Sequence, residues 1–179
     1  MSRVLAIDLF CGTGGWTDGF LAQGYEVRGY DLVRHPLYRG EMIIGDVQEI
    51  DGRELRGARV IVASPPCQEF SRHDLPWTRG KQPPPPDLAL IHAARRIAGE
   101  AGVPLILENV RGAQRWIGRA AAHIGPYYLW GDGVPLLLPS AADLGVRHKS
   151  RYSSARADLR ARIPLVLAEH VARVYASAG

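Results

Sequence analysis

An open, mostly parallel α/β sheet with helices on both faces is predicted by three observations. A short apolar run ends in a glycine-rich turn that opens a helical pattern, apolar runs of strand length recur down the chain, and acids stand at the ends of those runs. The run Arg3 to Phe10 carries Asp8, and Gly12-Thr13-Gly14-Gly15 follows at once. Trp16 to Ala22 has helical periodicity and is closed by Gly24, completing a strand, tight turn and helix. Tyr25 to Tyr30 is a second strand, ended by Asp31. Met42 to Ile44, followed by Gly45-Asp46, is a third, and Val60 to Ala63 a fourth. Pro104 to Leu107 is a fifth, ended by Glu108. Ligands of open parallel sheets bind beyond the carboxyl ends of the strands, so Asp8, Asp31, Asp46 and Glu108 point to one functional rim.

The connecting segments complete the reading. Arg72 to Pro86 ends in four prolines, which excludes helix interior and predicts an extended loop at the rim. Asp87 is placed to cap a helix over Leu88 to Glu100, and Gly112 to Ala122 is a further helix candidate. Tyr127 to Trp130 and Val134 to Leu138 read as a strand pair around Gly131-Asp132-Gly133. Pro164 to Ala176 is a closing amphipathic helix, with Leu167, Val171 and Val174 on one stripe.

At 179 residues the chain fits a single domain, 1–179, and 46% hydrophobic residues suffice for one core. No apolar stretch approaches the roughly 20 residues of a membrane span, and no cleavable leader is visible, so a cytoplasmic protein is expected. The net charge of +4 is uneven: from Ala141 to Gly179 seven Lys or Arg face three acids, as in a polyanion-binding segment.

A glycine turn between strand and helix lets backbone amides approach a ligand. The dinucleotide fingerprint fails here, because Thr17 stands where its third glycine belongs. A nucleoside cofactor without a pyrophosphate fits better, and S-adenosylmethionine is the candidate. Asp31 suits the ribose hydroxyls, Asp46 an adenine amino group, and Phe10 and Trp16 apolar cover. Each of these residues also has an ordinary structural reading, as a core aromatic or a turn cap.

Pro65-Pro66 would project Cys67 from the end of the fourth strand, with nearby amides or Arg72 placed to favour the thiolate. Glu108, on the neighbouring strand, suits a proton donor to a heteroaromatic nitrogen. Cys11 is the only other cysteine.

Asp8-Leu9-Phe10-Cys11-Gly12-Thr13-Gly14-Gly15, Gly45-Asp46, Pro65-Pro66-Cys67-Gln68-Glu69-Phe70-Ser71 and Glu108-Asn109-Val110 resemble the ordered motifs of the DNA (cytosine-5) methyltransferases. The resemblance implies a Rossmann-like, class I S-adenosylmethionine-dependent fold. It implies that Cys67 adds to C6 of a flipped cytosine while Glu108 engages N3 and the exocyclic amine, and that C5 then takes the methyl group. Asp8, Phe10, Gly12, Gly14, Trp16, Asp31, Asp46 and Pro65 are the expected cofactor positions, with Asp31 where a Glu is usual. Gln68, Ser71 and Asn109 are the expected substrate contacts.

Downstream the chain departs from the family pattern. Arg151 is the expected base-contacting arginine, although the Gln of that motif is missing. Ile163 to Glu169 resembles the helix that completes the cofactor pocket. Only about ten residues separate Tyr152 from Arg162, where the family usually inserts a large target-recognition domain. The chain therefore looks like the compact methyltransferases of phage and mobile elements. Double-stranded DNA, a short or relaxed site, no metal, and a monomer are expected. The residues leave open RNA or a free cytosine nucleotide as substrate, a catalytically silent DNA-binding module, and a nicotinamide-dependent oxidoreductase.

Overall fold

The computed structural model describes residues 4–72, 83–135, 137–140, 142–144 and 162–176. Strands β1 (Leu5–Leu9), β2 (Glu26–Asp31), β3 (Glu41–Ile44), β4 (Val60–Ala63) and β5 (Leu105–Asn109) run parallel. The sheet is completed by β6 (Ala122–Ile124) and β7 (Tyr127–Trp130) in the order β3-β2-β1-β4-β5-β7-β6, with β7 antiparallel to both β5 and β6. The order reverses between β1 and β4, which opens a crevice at their carboxyl ends. Leu9 pairs with Ala63, so the glycine turn and the Pro65-Pro66-Cys67 segment leave the sheet side by side.

Strand alternation divides the core. Ile7, Leu9, Ile61, Ala63, Leu105 and Leu107 face helix α3 (Ala89–Ala101), where Ile91, Ala94 and Ile97 meet them. Ala6, Val60, Val62 and Ile106 face α1 (Gly15–Ala22) and α5 (Leu165–Ala176), against Trp16, Phe20, Leu167 and Val171. By the same period of two, Asp8, Ser64 and Glu108 fall on the α1/α5 face. Among the described residues, no helix is long and apolar enough to cross a membrane.

The expected strands and the first and last helices lie within a residue or two of their sequence positions. Helix α3 begins at Ala89 with Leu88, not the expected Asp87, as its N-cap residue; Asp87 stands one residue earlier, where its carboxylate accepts the Ala89 amide at 2.8 Å. Two further expectations are corrected. In place of a helix from Gly112 to Ala122 there is a 3-10 turn at Arg111–Ala113 and a single turn, α4 (Gln114–Ile117). Gly118 ends it with φ of 93°, and its carbonyl accepts Trp130 Nε1 at 2.8 Å. The hairpin is formed by β6 and β7 around Gly125-Pro126. Gly131 to Gly133 instead pins the chain to β5: Asp132 Oδ1 accepts the Leu105 amide, and Gly133 N donates to the Leu105 carbonyl. Val134 and Leu138 pack on the α1/α5 core outside any strand.

Helices α1 and α5 approach to backbone contact. A Cβ added at Gly19 would stand 2.3 Å from Ala168 Cβ and 2.6 Å from the Ala168 carbonyl carbon, and one at Gly15 would stand 2.6 Å from Ile163 N. Arg162, at the entry to α5, pairs with Asp18 of α1. Gly19→Ala should therefore lower stability by about 1–3 kcal/mol despite the better helix propensity of alanine. Gly99→Ala, at an exposed position of α3 with nothing within 4 Å, should raise it by up to about 1 kcal/mol. Urea unfolding midpoints of the two variants check the opposite signs.

Candidate active site at the strand carboxyl ends

The turn after β1 runs through three left-handed residues, Phe10, Gly12 and Gly14, with φ of 59°, 48° and 83°. For Phe10, a residue with a Cβ, that conformation costs about 1–2 kcal/mol, and surrounding bonds hold it. Asp31, at the end of β2, accepts Gly12 N at 2.9 Å through Oδ2 and Val33 N at 3.2 Å through Oδ1. Asp31 thus fastens the glycine turn to the second strand.

Asp8 is buried and accepts the Thr17 hydroxyl at 2.7 Å; the Tyr38 hydroxyl lies 2.7 Å from the same Thr17 oxygen. Burial pushes the Asp8 carboxyl up to about 7, against the opposing pull of Thr17. The Tyr38 ring occupies a slot that exists because Gly14, Gly29 and Gly40 lack side chains. Added Cβ atoms there would lie 3.1, 2.1 and 3.0 Å from Tyr38 atoms. Burial, with Asp8 and Asp31 nearby, drives the free thiol of Cys11 well above the ordinary range, which leaves it unreactive.

A cavity of about 250 Å³ opens over this turn, lined by Asp8, Phe10, Cys11, Gly12, Thr13, Gly15, Trp16, His35, Ser64, Arg162 and Ile163. Four expected cofactor residues, Asp8, Phe10, Gly12 and Trp16, share that wall. The other four are not part of its lining: Asp31 lies behind the turn it fastens, and the remaining three stand apart. Gly14 backs onto Tyr38. Asp46 caps a 3-10 turn, its Oδ1 accepting Gln48 N at 2.9 Å. Pro65 borders a separate hollow of about 320 Å³ with Pro66, Gln68, Glu69 and Arg72.

Cys67 is half-buried at the start of α2 (Gln68–Arg72). Burial and the neighbouring Glu108 charge raise its thiol, while the Ser71 hydroxyl and its own backbone amide draw it down. Ser71, expected at the substrate, thus has its hydroxyl beside the Cys67 thiol. Glu108 is buried at the end of β5 and pushed up to about 7 by loss of water, with Ser64 opposing. Ser64 also accepts Trp16 Nε1 at 3.0 Å, so one hydroxyl joins the cavity wall to the carboxyl beside Cys67. Asn109, expected at the substrate, is buried: its Nδ2 donates to the Pro65 carbonyl at 3.0 Å and its Oδ1 accepts Val110 N. These bonds tie β5 to the Cys67 segment. Gln68 is exposed and faces the outer hollow. Arg151 lies outside the described residues, as do residues 73–82 of the proline-ended loop.

Sequence reasoning missed Ser64, Thr17 and Tyr38. Ser64 carried a usable signal, standing two residues beyond Val62 on the face that bears Glu108. Tyr38 carried none locally, because its slot is assembled from three separated glycines.

A model of C-5 cytosine-specific DNA methylases matches residues 4–115. The Type II methylase M.HgiDII of Herpetosiphon aurantiacus is 36% identical over 80 residues, covering 37% of this chain and 23% of that protein. A protein described as a DNA modification methyltransferase encoded within an E. coli prophage aligns at a TM-score of 0.46 and 22% identity, over 64% of this chain and 34% of that one. The S. pombe Dnmt2 methyltransferase aligns at 0.41 and 15% identity, over 63% and 36%. This chain thus spans about a quarter to a third of the length of the relatives it matches.

Glu108 titrates near 4.5 when free and near 7 when folded, so between those values the folded state binds more protons and stability falls as pH rises. Urea unfolding of wild type and Glu108→Gln at pH 5 and pH 8 should show the variant losing about 3 kcal/mol less over that interval. Equal losses would contradict a carboxyl held neutral by burial.

Proposed function

We propose that this chain, which belongs to the C-5 cytosine-specific DNA methylase family, methylates C5 of a cytosine flipped out of duplex DNA through a covalent adduct on Cys67. The observation that carries the reading is a near-neutral buried acid, Glu108, within electrostatic reach of the Cys67 thiol at the switch-point crevice. A thiol and a proton-bearing acid on adjacent strand ends can add across a heteroaromatic ring, and neither alone can.

The cavity beside them suits S-adenosylmethionine. Space is open at Gly12, where an added Cβ would meet nothing within 4 Å, Trp16 and Phe10 offer apolar walls, and the Asp8 carboxyl offers a partner for a cation. Asp8, Phe10, Gly12 and Trp16 would hold the cofactor, with Asp31 fixing the turn and available to the ribose. Asp46 Oδ2, engaged only by a 3.4 Å contact from Gln48, would be free for the adenine amine. When bound, this cofactor supplies a methyl group as an electrophile.

Cys67 Sγ gives up its proton and bonds to C6 of the cytosine. Glu108 delivers its proton to N3 as negative charge builds on the ring, and C5 thereby becomes nucleophilic enough to take the methyl group. The Sγ and C5 protons pass to solvent, N3 returns its proton to Glu108, and breakage of the Sγ–C6 bond frees the methylated base and a thiolate that solvent reprotonates. The proton on Glu108 serves twice, because a neutral Glu108 also removes the charge that opposes thiolate formation. The short stretch between Tyr152 and Arg162 leaves base reading to loops, which fits a short or relaxed site.

Incubation of duplex DNA with methyl-labelled S-adenosylmethionine should label cytosine at C5, and sequencing the product should return a short site. Cys67→Ser should lower transfer at least about 1,000-fold and Glu108→Gln about 100-fold. Label in neither wild type nor variant, or equal label in both, would overturn the proposal.

A further inference from the structure

Between Glu108 and Asp132 the sequence carries Arg111, Arg115, Arg119 and His123 and no carboxylate. All four side chains are exposed. Among the described residues Arg28, Arg39, Arg53, Arg96, Arg162 and Arg173 pair with carboxylates, whereas Arg111, Arg115 and Arg119 make no such pair. Arg115 is steadied instead over the Trp116 ring, 5.2 Å from its centroid.

The fold lays this group along one edge of the molecule, starting at the site. Arg111 opens the 3-10 turn directly after β5, and that turn packs on α2, the helix that begins after Cys67. His123 lies flat on Tyr128, with ring centroids 4.8 Å apart, and Tyr128 pairs in register with Asn109. Arg111 and the His123/Tyr128 pair therefore stand at the level of Glu108. Arg119 borders a cavity of about 740 Å³ together with Asp132, whose Oδ1 accepts the Leu105 amide, and the cavity reaches Val103 at the opposite end of β5.

We infer that this edge, whose own segment carries no acid, is a track for the sugar-phosphate backbone of duplex DNA, with Arg115 and Arg119 taking phosphates beyond the target cytosine. The inference rests on the function proposed above and supplies a surface for it. A run of cations without internal anions complements a polyanion along its length, and unpaired guanidinium groups give up no ion pair when phosphates arrive. Such contacts hold the duplex in place without reading bases, as a short recognition site requires.

The test is fluorescence anisotropy of the full chain with a mixed-sequence duplex across a salt series, comparing wild type, the double variant Arg115→Ala/Arg119→Ala, and Arg115→Lys/Arg119→Lys. Affinity for S-adenosylmethionine is measured in each as a check on folding. The alanine variant should weaken binding at least tenfold at low salt and reduce the slope of log K against log salt by about 2, and the lysine variant should restore both. A wild-type slope in an alanine variant that binds the cofactor normally overturns this inference and leaves the methyltransferase reading standing. The same follows if the loss appears with duplex RNA and not with DNA. A wild-type chain that binds no duplex overturns both.

Discussion

Two carboxylates, Asp8 and Glu108, are buried on the sheet face covered by α1 and α5, and the rest of the site depends on holding them there. An ionised carboxylate away from water costs several kcal/mol, so each is kept near neutrality and faced by a hydroxyl, Thr17 for Asp8 and Ser64 for Glu108. Those hydroxyls are fixed in turn. Thr17 meets Tyr38, which only the glycine-lined slot admits, and Ser64 accepts the Trp16 indole. The close seat of α5 against Gly15 and Gly19 keeps water from this face and brings Arg162 and Ile163 into the cavity wall.

Charge control follows from the same burial. The Cys67 thiol is raised by its surroundings and by Glu108, so the free protein holds a quiet thiol rather than a standing thiolate. In the proposed mechanism its activation is tied to Glu108, whose proton a cytosine ring would accept through N3. The second thiol, Cys11, is likewise raised, by burial first and then by the neighbouring Asp8 and Asp31.

Much of this was legible in the sequence because strands and the glycine turn are local patterns. The acids at the ends of β1, β2 and β5, and Cys67 after β4, were readable for the same reason. The segment after Glu108 departs from the expected helix because Gly118, with positive φ, breaks a helical pattern that composition alone sustains. The hairpin was shifted because Gly131-Asp132-Gly133 looks like a tight turn while its groups bond to Leu105, far off in sequence. Asn109 was assigned to the substrate by position in its motif; its hydrogen bonds to Pro65 and Val110 appear only once β4 and β5 lie side by side. The acid-free segment from Arg111 to His123 was overlooked in favour of the more basic 141–179 segment, since net charge does not tell paired arginines from unpaired ones.

The central claim is that Cys67 bonds covalently to the target base with Glu108 as the acid. Duplex DNA bearing 5-fluorocytosine, incubated with the protein and S-adenosylmethionine, tests it most directly by intact mass and peptide mapping. A fluorine at C5 cannot leave as a proton does, so the account predicts a stable protein–DNA adduct mapping to Cys67, absent from Cys67→Ser. An adduct on Cys11, or none on the wild-type chain under conditions where it binds both duplex and cofactor, would contradict it.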